Sequence, residues 1–425
     1  MRKRGSSSLQ RMSFRPFGVI EGFYGDPWSQ PERIACIDAL ATMGANAYVW
    51  APKSEPRHRD AWRDSFTSVE IANFAALIGR NAKVTVSVAL TPGNDASVAD
   101  VVAKLQPVVD VGCRIITLCF DDLPVLDAAE RHRTIANGVR AETGVDVWLV
   151  PTHYAGVSGS RYLDSLMDGL HPGVLVMWTG VCVVNDSITG DETARRAAAC
   201  AGRAPLVWDN VPVNDAMMTG FLHIGPYQGR EHAVARESAG LLLNPMVSMS
   251  ASLPMIESAC AWWHGGDATT AWEISVERAG LRTLAEATSY PGDAHWPGER
   301  PSRGWLQSVK ELVETGDPDI DPWVAAARGG AGIALAAMDM MDAIAEGKRA
   351  SDLTRLSLPL IGLRDWLRNE ARTLGAGPRT RPVFTQDGTG RFAVTGGAVT
   401  LTRSIPEALV SDAFAALAAI DQEGL

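Results

Sequence analysis

A short apolar run followed by a helix-length stretch, repeated about eight times, is the feature of this sequence that most narrows its fold. The runs lie at residues 17–20, 47–50, 84–90, 115–120, 145–150, 174–178, 205–208 and 240–243. Between most of them apolar residues return at helical spacing, as over 31–43, 69–82, 98–111 and 128–143. Pro31 just inside one start and Gly44 just past its end punctuate a helix, because proline suits the first turn and glycine the left-handed residue that closes the last. About eight β/α units in roughly 250 residues is the size of a (β/α)8 TIM barrel. A doubly wound open sheet shares the rhythm, but no G-x-G-x-x-G loop follows the first run. The chain therefore reads as α/β, with residues 1–13 a flexible N-terminus and 14–266 a (β/α)8 barrel.

Beyond Trp263 the pattern changes. Residues 269–287, 305–314, 322–346 and 351–373 read as helical, with a Pro/Gly-rich linker over 290–304. Residues 391–402 alternate like a hairpin closed on Gly396-Gly397, and 406–420 form a last amphipathic helix. Residues 267–425 thus make a smaller, mainly helical C-terminal domain with a short β-hairpin, a support or an interface whose helices offer a homodimer contact.

Composition removes several classes of partner. A net charge of −10 argues against nucleic acid and anionic membrane, which both require a basic surface. The six cysteines, at 36, 113, 119, 182, 200 and 260, contain no C-x-x-C, so neither a zinc site nor a disulfide framework is expected and no metal or cofactor is called for. The basic N-terminus lacks an apolar segment behind it and no apolar run reaches membrane-spanning length, so the expected location is cytoplasmic. Thirteen tryptophans mostly mean packing, although aromatic walls also suit the apolar faces of sugar rings.

Chemistry in a (β/α)8 barrel sits where strands end. Polar residues cluster there: Glu21-Gly22, Lys53, Asn94-Asp95, Asp121-Asp122, His153-Tyr154, Thr179, Trp208-Asp209-Asn210 with Asn214-Asp215, and Asn244. A single loop-borne polar residue is most often a turn former or helix cap, and Asp122-Leu-Pro could simply open the next helix. Clusters at nearly every strand end are harder to assign to capping. The run before Asp121 is apolar apart from Thr117, so a buried strand delivers two adjacent carboxylates to the barrel mouth. Carboxylates that close do not ionise independently, so the pair can hold a neutral acid beside an anion, which cleavage of a glycosidic bond requires.

The segments Gly18-Val-Ile-Glu-Gly-Phe-Tyr-Gly-Asp-Pro-Trp28, Tyr48-Val-Trp-Ala-Pro-Lys53 and Phe120-Asp-Asp122 resemble glycoside hydrolase family 84. So do Trp178-Thr-Gly180, Trp208-Asp-Asn-Val-Pro-Val-Asn-Asp215, Gly225-Pro-Tyr-Gln-Gly-Arg230 and Leu243-Asn-Pro245, in order along residues 14–264. That family holds β-N-acetylglucosaminidases, including protein O-GlcNAcases. The resemblance implies a retaining exo-β-N-acetylglucosaminidase that removes terminal β-linked GlcNAc from glycoconjugates or oligosaccharides. In its substrate-assisted reaction the 2-acetamido oxygen attacks the anomeric carbon and forms an oxazoline, so the protein supplies no nucleophile.

By motif position the resemblance implies two catalytic residues. Asp121 would orient the acetamido N–H, and Asp122 would protonate the leaving oxygen and later activate water. Tyr154 would hydrogen-bond the acetamido oxygen, Asn210 orient that group, and Asp215 hold the 4- and 6-hydroxyls. Gly22, Lys53 and Asn244 would meet the remaining hydroxyls, and Trp208 and Thr179 would line the pocket. Ser54-Glu55 and Asp26 depart from the family pattern in loops that bear on the aglycone. Two other readings remain: a catalytically silent GlcNAc-binding module, and a hexosaminidase with endo activity on hyaluronan-like polymers.

Overall fold

The computed structural model describes residues 14–123, 128–288, 302–348, 384–394 and 404–423, with isolated positions at 352, 361, 362 and 372. The expected flexible N-terminus, nearly all of the 290–304 linker, most of the 351–373 helix and the Gly396-Gly397 turn lie outside the described residues.

Eight strands close into a parallel barrel: β1 (Phe17–Glu21), β2 (Ala47–Trp50), β3 (Thr85–Leu90), β4 (Ile115–Cys119), β5 (Asp146–Val150), β6 (Leu175–Trp178), β7 (Leu206–Asp209) and β8 (Gly240–Leu243). β1 pairs with β2 on one side and β8 on the other, which seals the ring. Helices α1 (Gln30–Met43), α2 (Ser68–Ile78), α3 (Val98–Asp110), α4 (Ala129–Thr143), α5 (Arg161–Met167), α6 (Gly190–Ala199), α7 (His232–Glu237) and α8 (Met249–Trp263) follow the strands in turn. Strand ends differ from the sequence reading by a residue or so, while α2 stops at Ile78, short of the expected 82. Local chemistry sets the helix starts: Ser29 with Glu32, Thr67 with Glu70, and Thr189 with Glu192 form reciprocal capping boxes, and left-handed Gly44 (φ 84°) ends α1.

Alternation along each strand divides the core. Ile20, Val49, Ala89, Cys119, Trp148, Met177, Leu206 and Leu242 fill the barrel interior. Their neighbours Val19, Tyr48, Val88, Leu118, Leu149, Val207 and Leu243 pack outward under the helices. Side chains two positions apart share a face, so whatever follows an inward residue by two at the strand's carboxyl end points into the mouth.

Beyond the barrel lie α9 (Ala268–Arg278), α10 (Arg282–Thr288), α11 (Arg303–Lys310), α12 (Asp321–Ala345), β9 (Phe384–Gln386), β10 (Phe392–Val394) and α13 (Ile405–Glu423). Trp272, Leu284, Leu306, Trp323, Ala331, Met340 and Leu409 form their core, joined by Ile224 and Met246 from the barrel loops. α12 corrects one expectation: by length and composition it would pass for a membrane span, at mean hydropathy 1.2. Half of that window is buried within the protein, because Val324, Ala327, Ala331, Ala334 and Ala337 recur at helical spacing and form its packing face.

A hairpin forms just upstream of the expected turn. β10 pairs antiparallel with the preceding β9, Phe392 opposite Gln386 and Val394 opposite Phe384. The turn between them is Asp387-Gly-Thr-Gly390, where the Asp387 carboxylate accepts from Thr389 N at 2.7 Å and Arg391 N at 3.1 Å. An Asp that ties down the N–H groups after it is itself a turn signal.

Candidate active site

Inward parity places most of the site. Gly22, Lys53, Asp121, Asn210 and Asn244 each follow an inward residue by two or continue the inward series, from Ile20, Ala51, Cys119, Trp208 and Leu242. Thr179 follows Met177 in the same way, and Tyr154 extends the Trp148, Val150 series. All of them, with Asp122, Trp208 and Asp215, line one cavity of about 150 Å³ at the carboxyl end of the barrel. The ten residues singled out from the sequence thus meet in one place.

Opposite parity explains two strand-end acids that stay away. Glu21 points outward, gripped by Arg33 at 2.8 and 2.9 Å and by the Tyr48 hydroxyl. Asp209 is held by Arg230 at 2.6 and 2.8 Å and by the Tyr227 hydroxyl at 2.8 Å. Both fasten strands to the surrounding layer. Asn214 likewise serves structure, donating to Phe221 O at 3.0 Å and accepting from Val247 N at 3.2 Å.

Asp122 breaks the parity rule. As the neighbour of inward Asp121 it should face away, but its φ of 55° turns the chain into the left-handed region and brings its carboxylate into the cavity. Such a backbone costs about 1–3 kcal/mol and persists only where its surroundings fix it. Here the Tyr154 hydroxyl donates to Asp122 Oδ1 at 2.9 Å, and the Tyr24 hydroxyl to Oδ2 at 2.9 Å. Neither aspartate caps the next helix: α4 begins seven residues later, after Ala128, with no side-chain cap.

Asp121 is set differently. One oxygen forms a buried ion pair with Lys53, whereas Oδ1, also buried, has no hydrogen-bond partner among the described residues. Burial opposes the Lys53 charge, but Asp121, with help from Cys119 and Asp122, outweighs it and holds the ammonium well above its ordinary range. The Lys53 Nζ also lies 5.3 Å from the centre of the Trp208 ring. Trp208 donates to Asn210 Oδ1 at 2.9 Å, Asn244 Nδ2 reaches the same oxygen at 2.9 Å, and Asn210 Nδ2 donates to Val183 O at 2.7 Å. Asn244 Oδ1 accepts from Gly22 N at 3.2 Å, which links β8 to β1 across the mouth.

Tyr24 was not singled out from the sequence. Parity from Ile20 through Gly22 would have found it, and it holds two site residues at once. Its hydroxyl meets Asp122 while its backbone N–H donates to Asp215 Oδ2 at 2.7 Å. Burial and then the nearby Asp122 charge push its phenol up to about 12, and the same two causes raise Tyr154 further. Both phenols therefore keep their protons and donate. Burial also raises the Asp215 carboxyl, against the Tyr24 N–H that stabilises its anion. Val183, Val184, Val213 and Met218 supply an apolar wall that the sequence reading also passed over.

Residues 17–289 match the NAGidase family, described as beta-N-acetylglucosaminidase. The chain belongs to this family. It is a family of glycoside hydrolases, as the strand-end motifs led one to expect. Protein O-GlcNAcases of Rattus norvegicus and Mus musculus are each 30% identical to it over 272 residues, 58% of this chain. The chain spans only 30% of the length of those curated relatives. A mutant O-GlcNAc hydrolase of Thermobaculum terrenum shares its fold, with a TM-score of 0.76 at 20% identity over 97% of this chain and 96% of the other.

Gly22 leaves room that no side chain could take. A Cβ there would lie 2.3 Å from the Trp208 ring, which is buried and held through Asn210. Gly22→Ala is expected to displace Trp208 and lower kcat/KM on an aryl β-GlcNAc glycoside by about tenfold or more, with about 1–3 kcal/mol lost in stability from overpacking. Steady-state kinetics beside a thermal melt would check both. Wild-type values would mean that the Trp208 ring yields freely.

Proposed function

We propose that the protein is a retaining exo-β-N-acetylglucosaminidase that uses the substrate's own 2-acetamido group as nucleophile. The observation that carries this reading is the unequal setting of the two aspartates. Asp121 keeps one oxygen on Lys53 and one buried oxygen without a partner among the described residues, suited to accept the acetamido N–H. Asp122 stands next to it with the neutral phenols of Tyr24 and Tyr154 on its carboxylate, suited to carry a proton in and out. With the N–H oriented, the acetamido oxygen attacks the anomeric carbon as its bond to the leaving oxygen breaks. Asp122 gives that oxygen its proton, and Asp121 offsets the positive charge growing on the oxazolinium ring. Asp122 then takes a proton from water, which opens the oxazoline and returns GlcNAc with its configuration retained.

Other lining residues suit the rest of the ring. Tyr154 keeps a proton to offer the acetamido oxygen, and Asn210, tied to Trp208 and Asn244, has a fixed orientation beside it. Asp215 lines the same cavity and would hold the 4- and 6-hydroxyls, with Lys53, Gly22 and Asn244 for the others and Thr179 and Trp208 as walls. Exo action is supported by size: about 150 Å³ is well under the roughly 300–1,000 Å³ of pockets for larger ligands, so it suits one terminal sugar. Five of the six cysteines are buried, which fits a reducing compartment, and we place the protein in the cytoplasm.

The test is a comparison of substrates. Release of the aglycone from an aryl β-GlcNAc glycoside is expected, with the β-anomer of GlcNAc appearing first by proton NMR and with strong inhibition by a thiazoline mimic of the oxazoline. Faster cleavage of hyaluronan oligomers would point to endo action instead. GlcNAc affinity without turnover would make the protein a binding module.

A further inference from the structure

Among the described residues of the C-terminal region, the β9–β10 hairpin reaches the cavity residues Tyr154 and Val183. Gln386, only 6% exposed, accepts from Ala155 N at 2.8 Å through Oε1 and donates through Nε2 to Thr152 O at 2.8 Å. One buried amide thus fastens the backbone on both sides of His153-Tyr154, across more than 230 residues of chain. Its neighbours repeat the arrangement one loop further on. Phe384 O accepts from Val183 N at 2.7 Å, Thr385 Oγ1 donates to Val181 O at 2.6 Å, and Val183 O receives the Asn210 amide.

The fit leaves no slack. At Gly390 a Cβ would fall 1.9 Å from the His153 ring, and the Phe392 ring lies 6.0 Å from that of Tyr154. A side chain chosen only to fill space would be apolar and would leave the Ala155 N–H and Thr152 C=O buried without partners. The amide instead matches one donor and one acceptor at fixed positions. We propose that Gln386 is a positioning residue for the reaction: it sets the backbone from which Tyr154 presents its hydroxyl to Asp122 and to the substrate's acetamido group. The assignment rests on the glycosidase reading given above.

A double-mutant cycle tests it on wild-type, Gln386→Ala, Tyr154→Phe and doubly substituted protein, with an aryl β-GlcNAc glycoside. A displaced catalytic group commonly costs up to about a hundredfold. Gln386→Ala is therefore expected to lower kcat by about ten- to a hundredfold with KM changed by less than about threefold. Once Tyr154 has lost its hydroxyl, the same substitution is expected to cost less than about twofold, because the group it positions is gone. If the two losses simply multiply, or if Gln386→Ala behaves as wild type, Gln386 only packs the loop and the proposal falls. Should Gln386→Ala not fold, the near-isosteric Gln386→Glu is put through the same cycle. It keeps the acceptor for Ala155 N and loses the donor to Thr152 O, and the same outcomes decide. No turnover by the wild-type protein would instead refute the glycosidase reading, so the two failures are distinct.

Discussion

Asp122→Asn is expected to cut kcat by about 10²–10⁴-fold on alkyl or peptide-linked β-GlcNAc, whose leaving oxygen cannot depart without a proton. On an aryl glycoside with a strongly acidic phenol the loss should be smaller. There the bond breaks with little help, and what remains is the second step, in which the same carboxylate takes a proton from water. The substitution isolates chemistry from folding. Asn is among the few residues that tolerate the left-handed backbone seen at 122, where φ is 55°, and its amide oxygen can still accept from a tyrosine hydroxyl. The melting temperature should therefore move little, whereas Asp122→Ala would also lose both tyrosine contacts. Kinetics on a leaving-group series, with the slope of log kcat against phenol acidity as the readout, would settle it. Near wild-type turnover on the alkyl substrate would remove Asp122 from the proton-transfer role.

How much of this was legible in the sequence follows from distance along the chain. Strand and helix placement is local, set by alternation and capping, and it appeared within a residue or two for most elements. The inward residues of the mouth were legible for the same reason, since they extend a period-two pattern. Tyr24 lies in the same pattern, two residues past Gly22. Glu21 and Asp209 stand among the polar residues at strand ends, and parity assigns them outward to Arg33 and Arg230. Asp122 could not be placed by any pattern, because one backbone angle reverses its direction. The Gln386 contacts were illegible for a different reason: nothing local indicates which loop a buried amide more than 230 residues away will meet.

Asp121→Asn is expected to lose activity and stability together, by two routes that a second substitution separates. Turnover should fall by about 10²–10³-fold, the scale for removing one preorganised group that stabilises transition-state charge. Stability should fall because the side chains of Lys53 and Asp121 are only 3% and 8% exposed, and neutralising one strands the other. Breaking a buried pair in this way costs about 3–5 kcal/mol. The pH dependence follows from Lys53. In the wild-type protein its proton is held above the ordinary lysine range, so its contribution is present below that range and is lost only as pH rises through the raised value. In the variant burial acts unopposed by Asp121 and favours the neutral amine, so the unfolded chain binds the proton more readily and stability climbs with pH. The gap in melting temperature between the two proteins should therefore narrow from pH 7 toward pH 10. Adding Lys53→Met to Asp121→Asn removes the stranded charge, so it should recover much of the melting temperature, while activity, which draws on both side chains, stays lost. If activity returned along with stability, Asp121 would be a structural partner of Lys53 and the acetamido N–H would need another acceptor.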